Sequence, residues 1–161
     1  MATASDSSAA LESFQRDLDR LSLTPSATDP GLFYHLDEPL GAVRLAFARL
    51  QGRTVTALAA FFASDPVDGV MVFHGFFAVP EAYRNQGRAK DILKSALRQM
   101  AQGIAQTSVG AIRVVLVVDA EHTVAQRVAA AVISADPKTV KDEATGRPAL
   151  LYAATLAQTA H

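Results

Sequence analysis

The chain of 161 residues contains no cysteine. That excludes disulfide bonds, a thiol nucleophile and cysteine-ligated zinc, and it is compatible with a reducing compartment. Charge is also sparse. Only 19% of residues are charged and the formal net charge is −1, so bulk electrostatics gives no support to nucleic-acid or anionic-membrane partners. No apolar run approaches the ~20 residues of a membrane span. The opening MATASDSSAALES has neither a basic start nor an apolar stretch, so no signal peptide is expected and the chain is read as cytoplasmic. The four histidines, His35, His74, His122 and His161, show no ligand spacing, and no metal is expected. Neither G-x-x-x-x-G-K-[ST] nor G-x-G-x-x-G occurs, so the nucleoside-triphosphate and dinucleotide fingerprints both fail.

What is present is core-forming sequence. Half the residues are hydrophobic, and a chain of this length buries roughly 70% of its unfolded surface, enough for one domain. Residues 1–30 read as an N-terminal helix and loop, and 31–161 as the core of that single domain.

Leu11, Phe14, Leu18 and Leu21 share a helical stripe, which predicts a helix over about Ser8–Leu21. Thr24–Gly31 reads as a loop from its proline, glycine and serine. Leu32–Leu36, Ala42–Leu50, Thr54–Ala63 and Val70–Val79 read as strands, with turns at Gln51–Arg53 and Ser64–Gly69. Ile92, Leu93, Ala96, Leu97 and Met100 mark a helix from about Ala89 to Gln102 that stops at Gly103. Ala111–Val118 is β-branched and nearly continuous, as in a strand buried on both faces. A helix around Val124–Val132, a mostly turn-forming Ala135–Pro148 with a short strand at Thr139–Lys141, and a final strand at Ala149–Ala157 complete the pass. The centre is strand–helix–strand, which prefers a parallel pair with a right-handed crossover. With hairpins on both sides, the expected fold is a mixed α/β sheet with helices on its faces.

The junction PEAYRNQGRAKDIL, Pro80–Leu93, carries the chemistry. The first N–H groups of a helix lack internal partners and hold the positive end of its dipole, so a phosphate can dock there. Gly87 lets the backbone approach an anion, Ala89 keeps the helix start uncrowded, and Arg84, Arg88 and Lys90 add positive charge. Each exposed contribution is about 0.3–1 kcal/mol, so several together suit a polyphosphate.

RNQGRA, Arg84–Ala89, matches the pattern [QR]-x-x-G-x-[GA]. Here the sequence resembles the GCN5-related N-acetyltransferase (GNAT) superfamily. Phe76–Leu97 looks like that family's central strand, pyrophosphate loop and following helix, and Val114–Val128 like its next strand and helix. The resemblance implies a mostly antiparallel sheet with one splayed parallel strand pair and flanking helices. It implies acetyl-CoA as co-substrate, with pantetheine along Phe77, Ala78 and Val79. The pyrophosphate would lie at Arg84, Asn85, Gln86, Gly87, Arg88, Ala89 and Lys90, and His122, where relatives often have asparagine, would touch the cofactor or cap its helix. The acceptor is then an amine of a small molecule or protein, and a homodimer is an assembly the family allows.

The acid–base half of that pattern is displaced. The positions where relatives often carry a base hold Phe73 and Gly75, and the usual acidic tyrosine is Ala129. His74 is the only ionisable side chain on the central strand. Strict alternation puts it on the opposite face from Phe73 and Gly75, unless a β-bulge re-aims it; the alternative is a histidine satisfied in the core. Asp119 and Glu121 are either catalytic or helix-capping. Tyr152 is a phenol donor or core. Tyr83 packs at the loop. Tyr34, His35, Asp37 and Glu38 are acceptor contacts or a solvated turn. A non-catalytic acyl-CoA-binding domain, acting as a sensor or assembly module, is the second reading.

Overall fold

The computed structural model describes residues 4–157 apart from 40, 106, 108 and 144. Its frame is one eight-stranded sheet in the order β1-β2-β3-β4-β5-β6-β8-β7. The strands are β1 (Thr24–Pro25), β2 (Leu32–Asp37), β3 (Arg44–Gln51), β4 (Thr54–Val67), β5 (Val70–Ala78), β6 (Ala111–Asp119), β7 (Lys138–Lys141) and β8 (Pro148–Ala157). All neighbours are antiparallel except β5 and β6. That one parallel pair follows from the connection between them, the helix α2 (Arg88–Ala105), since parallel neighbours need a crossover rather than a hairpin.

Helices lie on both faces. On one, α2 and α3 (Thr123–Val132) bury Phe47, Phe61, Val114, Leu116 and Tyr152. On the other, α1 (Ala4–Arg16) sets Leu11 and Phe14 against Ala46, Ala48, Leu58 and Ala60. The central strand β4 is therefore buried on both sides from Val55 to Phe61. This is why its sequence, Thr56 apart, reads as an apolar run instead of an alternating one.

Four boundaries differ from the sequence reading, each for a physical reason. The first helix runs Ala4–Arg16 and gives way to a 3-10 turn at Leu18–Arg20. Leu18 and Leu21 still pack on the α1-side core, so they keep the stripe without keeping the helix. The expected turn at Ser64–Gly69 shrinks to Asp68 and Gly69, both at positive φ (52° and 78°), while β4 continues to Val67. The ladder is irregular between Ser64 and Val67, the stretch that contains Pro66, which has no N–H to donate. Helix α2 passes through Gly103 to Ala105. An interior glycine costs about 1 kcal/mol, and burial of Ile104 to 6% exposure offsets it. Within the expected loop Thr24–Gly31, Thr24 and Pro25 pair with Tyr34 and Phe33.

A single arginine ties that loop to the sheet and to α2. Arg49 on β3 donates to both carboxylate oxygens of Asp29 at 2.9 Å, to Asp91 Oδ2 at 3.0 Å, to Ser95 Oγ at 2.9 Å and to the Pro30 carbonyl at 3.1 Å. Hydrogen bonding from Arg49 holds the Asp29 carboxyl below its ordinary range. Its folded pKa lies under the unfolded one, so the stability it contributes is complete above about pH 4 and is lost as pH falls through the folded value. Arg49→Ala is expected to cost about 2–3 kcal/mol at neutral pH. The gap in melting temperature from wild type should narrow below about pH 4. A gap that stays constant down to pH 2.5 would show that the pair does not hold this corner.

Candidate functional site

Strands β5 and β6 pair over only five residues, from Met71↔Ile112 to Gly75↔Leu116. Beyond that point each follows its other neighbour. β5 stays in register with β4 as far as Ala78, and β6 with β8 as far as Asp119. The two strands separate, and a cleft of about 660 Å³ opens between them. Phe76, Phe77, Ala78 and Val79 line one wall, and Leu116, Val117, Val118 and Asp119 the other.

The loop from β5 into α2 forms one mouth of this cleft. Asn85 and Gly87 both take left-handed conformations, with φ of 62° and 74°. A β-carbon on Gly87 would touch nothing within 4 Å, so backbone conformation and access, not crowding, call for glycine there. The first helical bond runs from Asp91 N–H to the Gly87 carbonyl, at 3.0 Å. The amides of Arg88, Ala89 and Lys90 lie before it and have no helical partner. Two of the basic side chains brace the loop. Arg84 Nε donates to the Val79 carbonyl at 3.0 Å. Arg88 donates to Gln86 Oε1 and Thr56 Oγ1, each at 3.1 Å, and lies 5.1 Å over the Tyr83 ring. Lys90 is exposed at the same mouth. The loop residues expected at a pyrophosphate thus line the cleft, except Gln86, which is turned to Arg88.

α3 supplies the facing rim through His122, Val124, Ala125 and Val128. His122 caps α3, its Nδ1 accepting from the Ala125 N–H at 3.1 Å. That bond assigns the tautomer: Nδ1 is unprotonated, and Nε2 carries a donor hydrogen. The two alternatives for His122, cap and cleft contact, are therefore both occupied. Asp119 lines the cleft, but its Oδ1 accepts from the Glu121 N–H at 2.8 Å and its Oδ2 lies 3.4 Å from Arg147 Nε. Glu121 is exposed, paired with the same arginine, and off the cleft.

The remaining candidates fall elsewhere. Ala129 is fully buried in the core and not on the cleft wall. Tyr152 is 3% exposed on the α2 side, and burial pushes its phenol pKa up. The Asp37 carboxylate takes two bonds from Arg44 and lies 3.3 Å from His35 Nε2. His35 Nδ1 lies 3.1 Å from the Ser22 carbonyl. This is an ion cluster between β2 and β3, away from the cleft; Glu38 is exposed and Tyr34 packs beside the α2-side core. His161 lies outside the described residues. No group of three or more metal-ligating side chains occurs among the described residues, and none of their helices is long and apolar enough to cross a membrane.

His74 stands on the α1 face of β5, with Phe62 opposite on β4 and Val115 on β6. The register through His74 is continuous, so no bulge turns it toward the other face. Its Nδ1 is buried without a hydrogen-bond partner, and desolvation lowers its pKa. Sequence reasoning missed Ser7 and Ser8, near the start of α1, which also line the cleft. They reach it only because α1 crosses β5, which no local pattern signals.

No protein-family model and no curated protein matches the chain. Solved structures do match. RimJ of Mycobacterium smegmatis in complex with CoA-disulfide superposes with a TM-score of 0.56, 14% identity, and 94% of this chain on 78% of that one. The chain has the GNAT fold. A GNAT-family acetyltransferase from Streptococcus pneumoniae matches with a TM-score of 0.53 at 13% identity, covering 70% of this chain and 66% of that one. The ribosomal-protein-S18-alanine N-acetyltransferase of Escherichia coli matches at 0.50 and 15% identity, over 73% and 72%. At these identities the likeness is one of fold, and the chain spans just under two thirds of the pneumococcal enzyme.

The unpartnered His74 has a measurable consequence. Its folded pKa lies below its unfolded one. As pH falls from about 6.5, the unfolded chain takes up the proton first, so stability full at neutral pH declines toward the folded value. His74→Leu removes both the unpaired nitrogen and this proton uptake. The variant is expected to melt no lower than wild type at pH 5.5, and to lose less stability than wild type between pH 7.5 and 5.5. An equal loss in both proteins would contradict the burial argument.

Proposed function

We propose that the protein is an acyl-CoA-dependent N-acyltransferase that moves acetyl from acetyl-CoA to a primary amine of a small molecule or protein, working in the cytoplasm. The observation that carries this reading is the cleft between β5 and β6 with the free amides of Arg88, Ala89 and Lys90 at its mouth. Phosphates find there both unpaired donors and the positive end of an 18-residue helix. Phe77, Ala78 and Val79 extend from that mouth as an edge unpaired with β6, to which an extended pantetheine arm can add as a strand adds to a sheet. His122, which lines the other rim, would meet the cofactor through its Nε2–H.

The reaction needs an unprotonated amine. Its nitrogen forms a bond to the thioester carbonyl carbon, the C–S bond breaks, the amine gives up a proton, and the departing thiolate takes one. We assign His74 as the base. It lies on the α1 face, as does Phe76 of the cleft wall, and its lowered pKa keeps the imidazole neutral and able to accept a proton at pH 7. Asp119 and Glu121, both paired with Arg147, are the weaker alternatives.

A specific observation favours the second reading, a non-catalytic acyl-CoA-binding module. Where the strands part, the cleft is lined by Gly75, Phe76, Leu116 and Val117, and none of these can titrate.

Two measurements separate these readings. Release of free thiol from acetyl-CoA across a panel of amines is expected for the enzyme and absent for the module. General-base help is worth typically 10²–10⁴-fold, so His74→Ala should lower kcat at least about a hundredfold with CoA affinity nearly unchanged; a folded variant with wild-type kcat removes His74 from the proton path. Gly87→Glu places a carboxylate among the phosphate-facing amides. It should weaken CoA binding well over tenfold, more than about 1.4 kcal/mol, and equal affinity in a folded variant would sink the cofactor assignment.

A further inference from the structure

The innermost point of the cleft is the last β5–β6 pair, Gly75 and Leu116. Gly75 does not have positive φ, so conformational freedom is not what calls for glycine. Space is. A β-carbon on Gly75 would lie 2.5 Å from both Cδ1 and Cε1 of the Phe61 ring and 3.4 Å from the Ala60 carbonyl oxygen. Phe61 is the residue opposite Gly75 on β4, and it is fully buried. Its ring is held edge-on against Phe47, with centroids 6.2 Å apart and planes at 73°. Leu116, at 1% exposure, closes the other side. Gly75, not Phe61, lines the cleft here, and on the α2 side it is backed by an aromatic ring standing where a side chain would be, locked by its own packing and without room to yield.

We propose that the Phe61 ring, lying beneath Gly75, sets the upper size limit of the transferred acyl group and restricts it to acetyl. The proposal rests on the acyl-CoA reading above. From Val79, where the phosphate loop begins, to Gly75 is four strand residues, roughly 13 Å. An extended pantetheine arm covers such a span, so the thioester of a CoA held at the loop ends at Gly75. An acetyl methyl group needs little room beyond that point. A longer chain directed toward α2 meets the ring.

The test measures affinity for acetyl-CoA, butyryl-CoA and free CoA by calorimetry, which needs no acceptor amine. Wild type should bind butyryl-CoA at least tenfold more weakly than acetyl-CoA. Phe61→Leu opens apolar space behind Gly75. Each additional buried methylene is worth about fourfold, so the butyryl-to-acetyl affinity ratio should rise roughly tenfold; Phe61→Met serves the same comparison if the leucine variant does not fold. Adding Gly75→Ala to Phe61→Leu refills the space and should restore discrimination. A readout independent of ligand accompanies it: Gly75→Ala alone should lower the melting temperature, and Phe61→Leu should recover part of that loss. Wild type that binds butyryl-CoA as tightly as acetyl-CoA overturns the proposal, as does an unchanged ratio in a folded Phe61 variant. Those results leave the acyl-CoA reading standing, whereas absence of binding by free CoA and both thioesters overturns that reading and the size limit with it.

Discussion

Everything distinctive about this molecule depends on β5 and β6 being held by different partners. β5 pairs with β4 as far as Ala78, and β6 pairs with β8 as far as Asp119, yet the two share only the five pairs that end at Gly75 and Leu116. Twist accumulates between neighbouring strands, and each of these strands is committed to its antiparallel neighbour. Past the last shared pair they diverge, leaving backbone edges facing a gap. A gap in a sheet is costly when its polar groups go unpaired. It is tolerated where water or a ligand can enter, and this cleft opens at the mouth formed by the α2 N-terminus.

The side chains around the gap divide along the two faces of the sheet. Toward α2 the wall is apolar, and Leu116 in it belongs to a tightly built core behind the cleft, with Phe61 against Phe47 and with Tyr152. Toward α1 the cleft carries Ser7 and Ser8, while His74, on the same face of β5 but not lining the cleft, is half-buried with an unpaired nitrogen. A ligand held at the α2 N-terminus and threaded to Gly75 would present its far end between an apolar face and a more polar one. That asymmetry suits a site where one reactant is fixed in position and another approaches. It also explains why the acidic groups are poor guides to the chemistry. Asp29, Asp37, Asp119 and Glu121 are each engaged by an arginine, and they fasten loops and strands together.

Much of this was legible in the sequence because the relevant signals are local. The run Val70–Val79, the glycine in RNQGRA and the stripe Ile92–Met100 are each contained in a few residues, and they give β5, the anion loop and α2 in order. What was not legible depends on contacts distant in sequence. Leu18 and Leu21 continue a helical stripe although the helix has ended, since packing on the sheet needs only their positions. Pro66 and Gly103 look like terminators, but a ladder irregularity absorbs one and a buried Ile104 outweighs the other. Gly75 read as a missing base, whereas the space beside it is filled by a ring fourteen residues earlier in the chain, counting from Phe61. Ala129 likewise read as a missing acid, and it turns out to be a core position.

The central claim is that CoA occupies the gap between β5 and β6 with its phosphates on the amides that open α2. Hydrogen–deuterium exchange with and without CoA tests it directly, because those amides are free of helical partners in the protein alone and would be bonded in the complex. CoA should slow exchange at Gly87–Lys90 and along Phe77–Val79, with little change on β2 and β3. Saturating CoA that leaves those two segments at their free rates, or protects a different part of the molecule, would contradict it.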